Sequence, residues 1–158
     1  MESEMVLTAY EQFELLIPVL IAMVFGAIIG FEREMRSKPA GLRTHIYVTV
    51  SAALLVIVGP ALVELYSFGF PQEIMRNEPI SVLHAIILGI SFIGAGTVFK
   101  NVRDNNVLNL TTAATLLFAG TVGVLVGAHL YYLAGAATLL LLCINLALEF
   151  LENRLARR

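Results

Sequence analysis

The chain has 158 residues, of which 58% are hydrophobic and 14% are charged, and its formal net charge is −2. A soluble globule of this length could not bury so much apolar surface, so the mean hydropathy of +0.84 indicates an integral membrane protein. The weakly acidic balance does not favour a nucleic-acid surface, and the single Cys143 excludes both an intrachain disulfide and a cysteine metal cluster.

Four charge-free runs are long enough to cross a bilayer, which takes about 20 apolar residues per helix. The first run follows an acidic tail, so we predict a retained helix rather than a cleaved signal. The fourth run is long enough for two spans, with a turn at 127–129 beside the interfacial pair Tyr131 and Tyr132. The predicted spans are about 14–31, 44–64, 80–99, 110–127 and 130–149.

Lysine and arginine residues orient these spans, because positively charged loops are retained in the cytoplasm. Nine of the ten positive residues fall in the first loop, in the third loop or after the last span, and only Arg76 falls in the second loop. An outside N-terminus and a cytoplasmic C-terminus place all nine in the cytoplasm. We therefore predict an all-α, polytopic membrane helix bundle of five transmembrane helices, forming one domain over residues 1–158.

The segment 26–44 joins closely spaced glycines to six charged residues. Glu32 with Arg36, and Glu34 with Lys38, have the i,i+4 spacing of neighbours on a helix face, which predicts two salt bridges. The glycines allow close helix packing, and the charges belong where the bilayer ends. The segment therefore predicts both a packing surface and a membrane boundary.

The second half of this segment predicts a turn and the start of the next helix. We expect Pro39 to end the first helix by removing a backbone donor, and Gly41 to permit the turn that follows. Arg43 then opens the second span. Its guanidinium either reaches lipid headgroups or pairs with a carboxylate such as Glu32, and both alternatives stay open.

Small and polar residues inside the spans predict contacts between helices. Glycines in the first, third and fourth spans pack within the bundle by default, with a homodimer contact or a narrow path as alternatives. In the fifth span, Asn145 needs a partner from another helix or protomer, which makes it a candidate oligomer contact. The predicted packing residues are Gly26, Gly30, Gly89, Gly94, Gly96, Gly123 and Gly127.

Three stretches resemble the hallmark segments of the MgtC/SapB family, and their order and spacing extend over nearly the whole chain. The first is 26–44, with its Glu-Arg-Glu and Gly-Leu-Arg-Thr combination. The others are Gly89-Ile-Ser-Phe-Ile-Gly94-Ala-Gly96 and Leu110-Thr-Thr-Ala-Ala114-Thr115. Longer members carry a cytoplasmic C-terminal domain similar to ACT modules. The sequence ends at Arg158, so we interpret it as the membrane domain only, lacking that domain.

The resemblance implies a multi-pass protein of the cell inner (cytoplasmic) membrane that is virulence-associated and linked to magnesium homeostasis and acid stress. Some members are reported to restrain the proton-driven ATP synthase. The implied partners are therefore the lipid bilayer and a membrane protein such as ATP synthase, and a homodimer is a further expectation.

The predicted orientation brings all three stretches to the cytoplasmic leaflet, where Asn109 can cap the fourth helix and leave backbone donors for a carboxylate or phosphate oxygen. We predict a membrane regulatory or stress-adaptation protein, tied to magnesium homeostasis, acid tolerance or membrane energetics, that binds a partner or ligand at this face. The alternative is a small magnesium or other cation transporter. The predicted binding residues are Glu32, Arg33, Glu34, Arg43, Thr44, Asn109, Thr111 and Thr112.

Neither catalysis nor a cofactor is predicted. The sequence has no His-Glu-x-x-His and no Gly-x-Ser-x-Gly motif, so we expect no enzyme and no catalytic residue. No span carries a charged residue near its middle, which disfavours an ion pathway. Magnesium prefers oxygen ligands, and a site for it would draw on Glu32, Glu34 and Asp104 on the inside or on Glu64, Glu73 and Glu78 on the outside.

Overall fold

The structure is a computed structural model that describes residues 9–66, 78–101 and 106–155. Within these ranges the chain is almost entirely helical, with one short hairpin. In chain order the elements are α1 (Ala9–Glu14), α2 (Leu16–Met35), α3 (Leu42–Tyr66), α4 (Glu78–Thr97), β1 (Phe99–Asn101), β2 (Asn106–Leu108), α5 (Leu110–Gly127) and α6 (Tyr131–Leu155).

Five helices of the described chain are long and apolar enough to cross a membrane, which confirms the predicted five-helix membrane bundle. The qualifying segments are Gln12–Met35, Leu42–Pro60, Ile80–Thr97, Leu110–Gly127 and Tyr131–Glu152. The first helix runs four residues past its predicted end at Phe31, so the Glu-Arg-Glu triplet is helical. The turn between the last two spans lies where the sequence predicted it.

That turn depends on a left-handed residue. His129 has φ +61°, and its N–H donates to the Val126 carbonyl at 2.9 Å. The next N–H, of Leu130, reaches back to the Leu125 carbonyl at 2.8 Å. These two bonds satisfy carbonyls that the end of α5 would otherwise leave open, which lets α6 reverse direction directly.

The core lies between α2, α3 and α5. α3 packs against α2 and against α5, α2 also meets α5, and α4 covers α3 and α5. Half of the α5 span is buried, compared with 11% of the α6 span. α6 is therefore peripheral, and a groove of about 740 Å³ separates its second half from α2. The buried apolar residues include Ala22, Ile29, Ala52, Ala53, Leu116, Ala119, Val122 and Val126.

Glycines set the distance and register between these helices. A Cβ built on Gly26 would stand 2.9 Å from the His45 carbonyl oxygen, and one on Gly30 would stand 2.7 Å from the Leu42 Cα, so α2 and α3 are in backbone contact and antiparallel. Gly123 faces the Thr49 carbonyl in the same way, and Gly127 faces that of Ala53, so α5 runs parallel to α3.

Two of the predicted packing glycines have no such contact. A Cβ on Gly89 or Gly96 would meet nothing within 4 Å, whereas one on Gly94 would touch Ala113 at 3.4 Å. The predicted close packing of Gly89 and Gly96 is therefore absent within the described chain: Gly89 lines an open groove between α3 and α4, and Gly96 is exposed. Their alternative role in a homodimer contact stays a prediction.

A β-hairpin follows α4, where the sequence predicted only a loop. β1 and β2 are antiparallel, with Phe99 opposite Leu108 and Lys100 opposite Val107. The hairpin lies at the end of the bundle where α2, α4 and α6 finish and α3 and α5 begin. We call this the basic end, since it carries Arg33, Arg36, Lys38, Arg43 and Lys100. Its predicted cytoplasmic location stays a prediction.

Candidate functional site

The charged stretch of α2 ends in a left-handed cap. Ser37 has φ +53°, its N–H donates to the Glu34 carbonyl at 2.9 Å, and the Lys38 N–H donates to the Arg33 carbonyl at 3.1 Å. α2 thus ends at Met35, before the predicted stop at Pro39. The backbone geometry of Ser37 ends the helix, and the proline only follows it.

Glu34 does not form the predicted pair with Lys38. Its carboxylate turns toward α3 and accepts the Leu42 N–H at 2.7 Å, which caps the first turn of that helix. A Cβ on Gly41 would stand 2.8 Å from the same carboxylate oxygen. The role of Gly41 is therefore to leave room for this cap, and α3 is held to the end of α2 by a charge-assisted bond.

The other predicted pair is present and belongs to a larger network. Arg36 pairs with Glu32 one turn earlier and with Glu149 of α6 at 2.9 Å. The same guanidinium donates to the Asn145 carbonyl, and the Asn145 amide donates to Glu32, each at 3.3 Å. We call these four residues the clasp. Asn145 thus finds the predicted partner on another helix of the same chain, and its role in an oligomer contact stays a prediction.

The clasp predicts a modest stability effect. Replacing Glu149 with glutamine should lower the free energy of unfolding by about 0.5 kcal/mol, because the pair is half exposed and Arg36 retains Glu32. The effect should shrink in high salt. Thermal unfolding in detergent measures it, with Glu152→Gln as the control because Glu152 lies one turn further along α6 and is exposed. Equal losses for both variants would show that the clasp does not hold α6.

Arg33 is the most unusual residue at the basic end. Its side chain is only 4% exposed, and its one nearby carboxylate, that of Glu32, is 4.0 Å from Nη1 and already paired with Arg36. Nε and Nη2 are buried and reach no acceptor in the described chain. These two N–H groups form one edge of the guanidinium, the edge that binds two oxygens at once.

Three further buried polar atoms make no hydrogen bond at this end, and one of them, the Oε1 of Glu32, is in ion-pair contact with Arg36. The Nδ1 of His45 lies 2.9 Å from the Gly41 carbonyl, which can only accept, so Nδ1 carries the hydrogen, and Nε2 is buried with no partner among the described residues. The Oγ1 of Thr112, in the first turn of α5, is likewise buried and unpaired. Sequence reasoning did not select His45, because nothing around it in the sequence indicates that it is fully buried.

The helix register places Arg33 and Thr112 near the same level of the bundle. Arg33 lies one turn past Gly30, which faces the start of α3, and the parallel register of α3 and α5 puts Thr112 at the same level. His45 lies about 10 Å deeper by helix rise. Side chains lean toward the N-terminus of their helix, so Arg33 leans inward and His45 leans outward. We call Arg33, His45 and Thr112 the buried polar cluster.

The remaining predicted residues do not join this cluster. Arg43 and Thr111 are exposed on the bundle surface, and Thr44 is half-buried. Asn109 occupies the N-cap position of α5 with φ +67°, but its amide donates to the Thr97 carbonyl at 3.0 Å and its side chain caps no N–H of α5. The prediction of Asn109 as a side-chain cap is therefore wrong, since the amide ties α4 to α5.

The structure describes the side chains of only two of the residues considered for magnesium. Glu32 belongs to the clasp and Glu34 caps α3. Asp104 and Glu73 lie outside the described residues. Among the residues that the structure describes, no three His, Cys, Asp or Glu side chains are grouped to hold a metal ion.

Comparison with known proteins gives one family. The sequence model of the MgtC family matches residues 19–154. Protein SapB of Bacillus subtilis is 36% identical over 148 residues, which is 93% of this chain and 60% of SapB. Protein MgtC of Salmonella typhimurium is 33% identical over 155 residues, 98% of this chain and 59% of MgtC. No solved structure gives a significant match.

A third relative is the protein of Escherichia coli K12 named "Putative magnesium transporter YhiD", which is 33% identical over 124 residues, 76% of this chain and 54% of the relative. The chain thus spans a little over half the length of these relatives. Because the family match extends through all five spanning helices and through every member of the buried polar cluster, the chain belongs to the MgtC family.

Proposed function

We propose that this chain is a regulatory or stress-adaptation protein of the cell inner membrane, linked to magnesium homeostasis, acid tolerance or membrane energetics. It acts by binding a ligand or membrane partner at its basic end. The observation that carries this proposal is the buried guanidinium of Arg33, whose Nε and Nη2 have no protein acceptor among the described residues.

A purely structural role accounts poorly for that guanidinium. Burying a charge costs several kcal/mol unless close pairing and hydrogen bonds offset the cost. Glu32 supplies only one contact at 4.0 Å, and the clasp already uses its carboxylate. Perturbed, incompletely paired charges are concentrated at functional sites. A role in binding a ligand or partner accounts for the free-energy cost of burying Arg33.

Two kinds of partner are supported, a membrane protein and a second copy of the chain. Members reported to restrain the ATP synthase support a membrane protein as partner. The exposed glycine face of α4, with Gly89 and Gly96 open to the surroundings, supports a second copy of the chain. Both proposals concern a binding surface, and neither requires a catalytic step or a bound cofactor.

Cation transport is the second candidate, and the printed name of the Escherichia coli relative favours it. Proteoliposomes loaded with a magnesium-sensitive dye separate the two. We expect no magnesium flux above that of empty vesicles from correctly inserted protein. Flux that disappears in an Arg33→Met variant would overturn the regulatory proposal and establish transport.

The regulatory proposal is tested in cells. In a bacterial strain that lacks its own MgtC-family protein, expression of the chain should improve growth under magnesium starvation or acid challenge. Lys38→Met provides the control, because Lys38 is an exposed cation beside the same turn. Full growth of cells that carry Arg33→Met at normal levels in the membrane would show that the function does not depend on the buried polar cluster.

A further inference from the structure

We propose that the buried polar cluster is a binding site for inorganic hydrogenphosphate. This inference deepens the proposed function, because it names the ligand of the same site. Arg33, Thr112 and His45 are all buried, and each carries a side-chain nitrogen or oxygen without a hydrogen-bond partner.

The donors of the cluster require an oxyanion. The free edge of Arg33 presents two parallel N–H groups, which match two oxygens of a phosphate or carboxylate. The hydroxyl of Thr112 adds a donor at the same level of the bundle. A carboxylate or a phosphate can accept from all three donors, so the choice between them depends on His45.

The N-terminus of α5 adds to the attraction for an anion. Thr112 lies in the first turn of α5, whose N–H groups have no side-chain cap because Asn109 points to Thr97. A helix N-terminus carries partial positive charge and favours an anion. The N-terminus of α3 contributes less, because the Glu34 carboxylate already caps it.

His45 decides which oxyanion fits. Its Nδ1 hydrogen is committed to the Gly41 carbonyl, so the neutral ring offers only the lone pair of Nε2. A ligand must donate a hydrogen to that lone pair. Near pH 8 inorganic phosphate keeps one proton, but sulfate keeps none, so the site selects hydrogenphosphate over an ion of similar size and charge.

The test uses the full chain purified in a maltoside detergent in phosphate-free buffer at about pH 8, where an imidazole with the usual pKa of about 6.5 is neutral. Phosphate and sulfate are titrated separately at constant ionic strength. The thermal unfolding midpoint and the Nε–H resonance of Arg33, assigned with Arg33→Lys, are both followed. We expect phosphate to raise the midpoint saturably and shift the resonance, with sulfate at least tenfold weaker, as one lost charge-assisted hydrogen bond implies.

Three variants locate the site. Arg33→Gln should abolish the phosphate response, and Thr112→Val, which keeps the shape of the side chain, should weaken it about tenfold. Lys38→Gln removes the same charge from the bundle surface and should change the affinity less than twofold. If Arg33→Gln does not fold, Thr112→Val and the wild-type resonance still decide the outcome.

Equal affinities for phosphate and sulfate, an unmoved Arg33 resonance, or equal phosphate responses in wild type and Thr112→Val would each overturn the proposal. These results are separable from failure of the proposed function. Binding is measured on purified protein and the regulatory role by growth, so a chain that supports growth without binding phosphate refutes only this inference.

Discussion

Replacing Gly123 with alanine is expected to destabilise the bundle by about 2 to 3 kcal/mol, the largest loss from a single added methyl group. The new Cβ would collide with the backbone carbonyl of Thr49 and stand 2.9 Å from the Cβ of Ala52. Backbone atoms of a packed helix cannot rotate away as a side chain can. α3 and α5 would have to separate, which opens the central interface of the fold.

The same methyl group placed elsewhere provides a graded control. At Gly120 it meets the flexible end of the Ile90 side chain, and at Gly89 it meets nothing within 4 Å. We expect thermal unfolding in detergent to rank the losses as Gly123→Ala, then Gly120→Ala, then Gly89→Ala with almost none. An equal loss at Gly89 would contradict packing within one chain and place that face of α4 against another chain.

Replacing Arg33 with methionine is expected to remove function while keeping or raising stability. Methionine retains much of the length and apolar surface of the side chain, and the cost of burying an incompletely paired charge disappears. Glu32 keeps its partner Arg36, so no carboxylate is left unpaired. The free energy of unfolding should stay the same or rise by about 1 kcal/mol, whereas growth under magnesium starvation or acid challenge should fall to that of cells without the chain.

The two readouts separate binding from structure. Thermal unfolding in detergent and growth at matched membrane levels are measured on the same variants, with Lys38→Met as the surface control. A large drop in stability with function intact would identify Arg33 as a structural residue whose partner was not recognised. Loss of both in parallel would show that any functional defect follows from unfolding.

The bundle could be predicted because spanning helices are specified by long local runs. Charge-free stretches and a lower limit of about 20 residues define the spans, and Gly26 with Gly30 indicates a close contact without identifying the opposite helix. Register and facing depend on contacts distant in sequence. The sequence predicted packing for both Gly89 and Gly123, yet only Gly123 is in close contact with another helix in the described chain.

The sequence selected two of the three members of the buried polar cluster but did not distinguish them from their neighbours. The sequence selected Arg33 and Thr112 together with Arg43 and Thr111, because adjacent residues on a helix cannot be assigned to a face without knowing what the helix packs against. His45 was missed for the same reason. The i,i+4 spacing also predicted the wrong partner for Glu34. Gly41 brings the N-terminus of α3 close, and its free N–H groups bind the carboxylate better than the exposed Lys38 does.

The peripheral position of α6 determines the order in which the protein should come apart. Its first half is anchored by the buried residues Ala134 and Thr138, but its second half is joined to the rest through the clasp, across the groove beside α2. Moving that half of α6 away from the bundle breaks little helix–helix contact. Its detachment therefore requires far less free energy than global unfolding. The central helices can therefore stay assembled while the second half of α6 exchanges between docked and undocked positions.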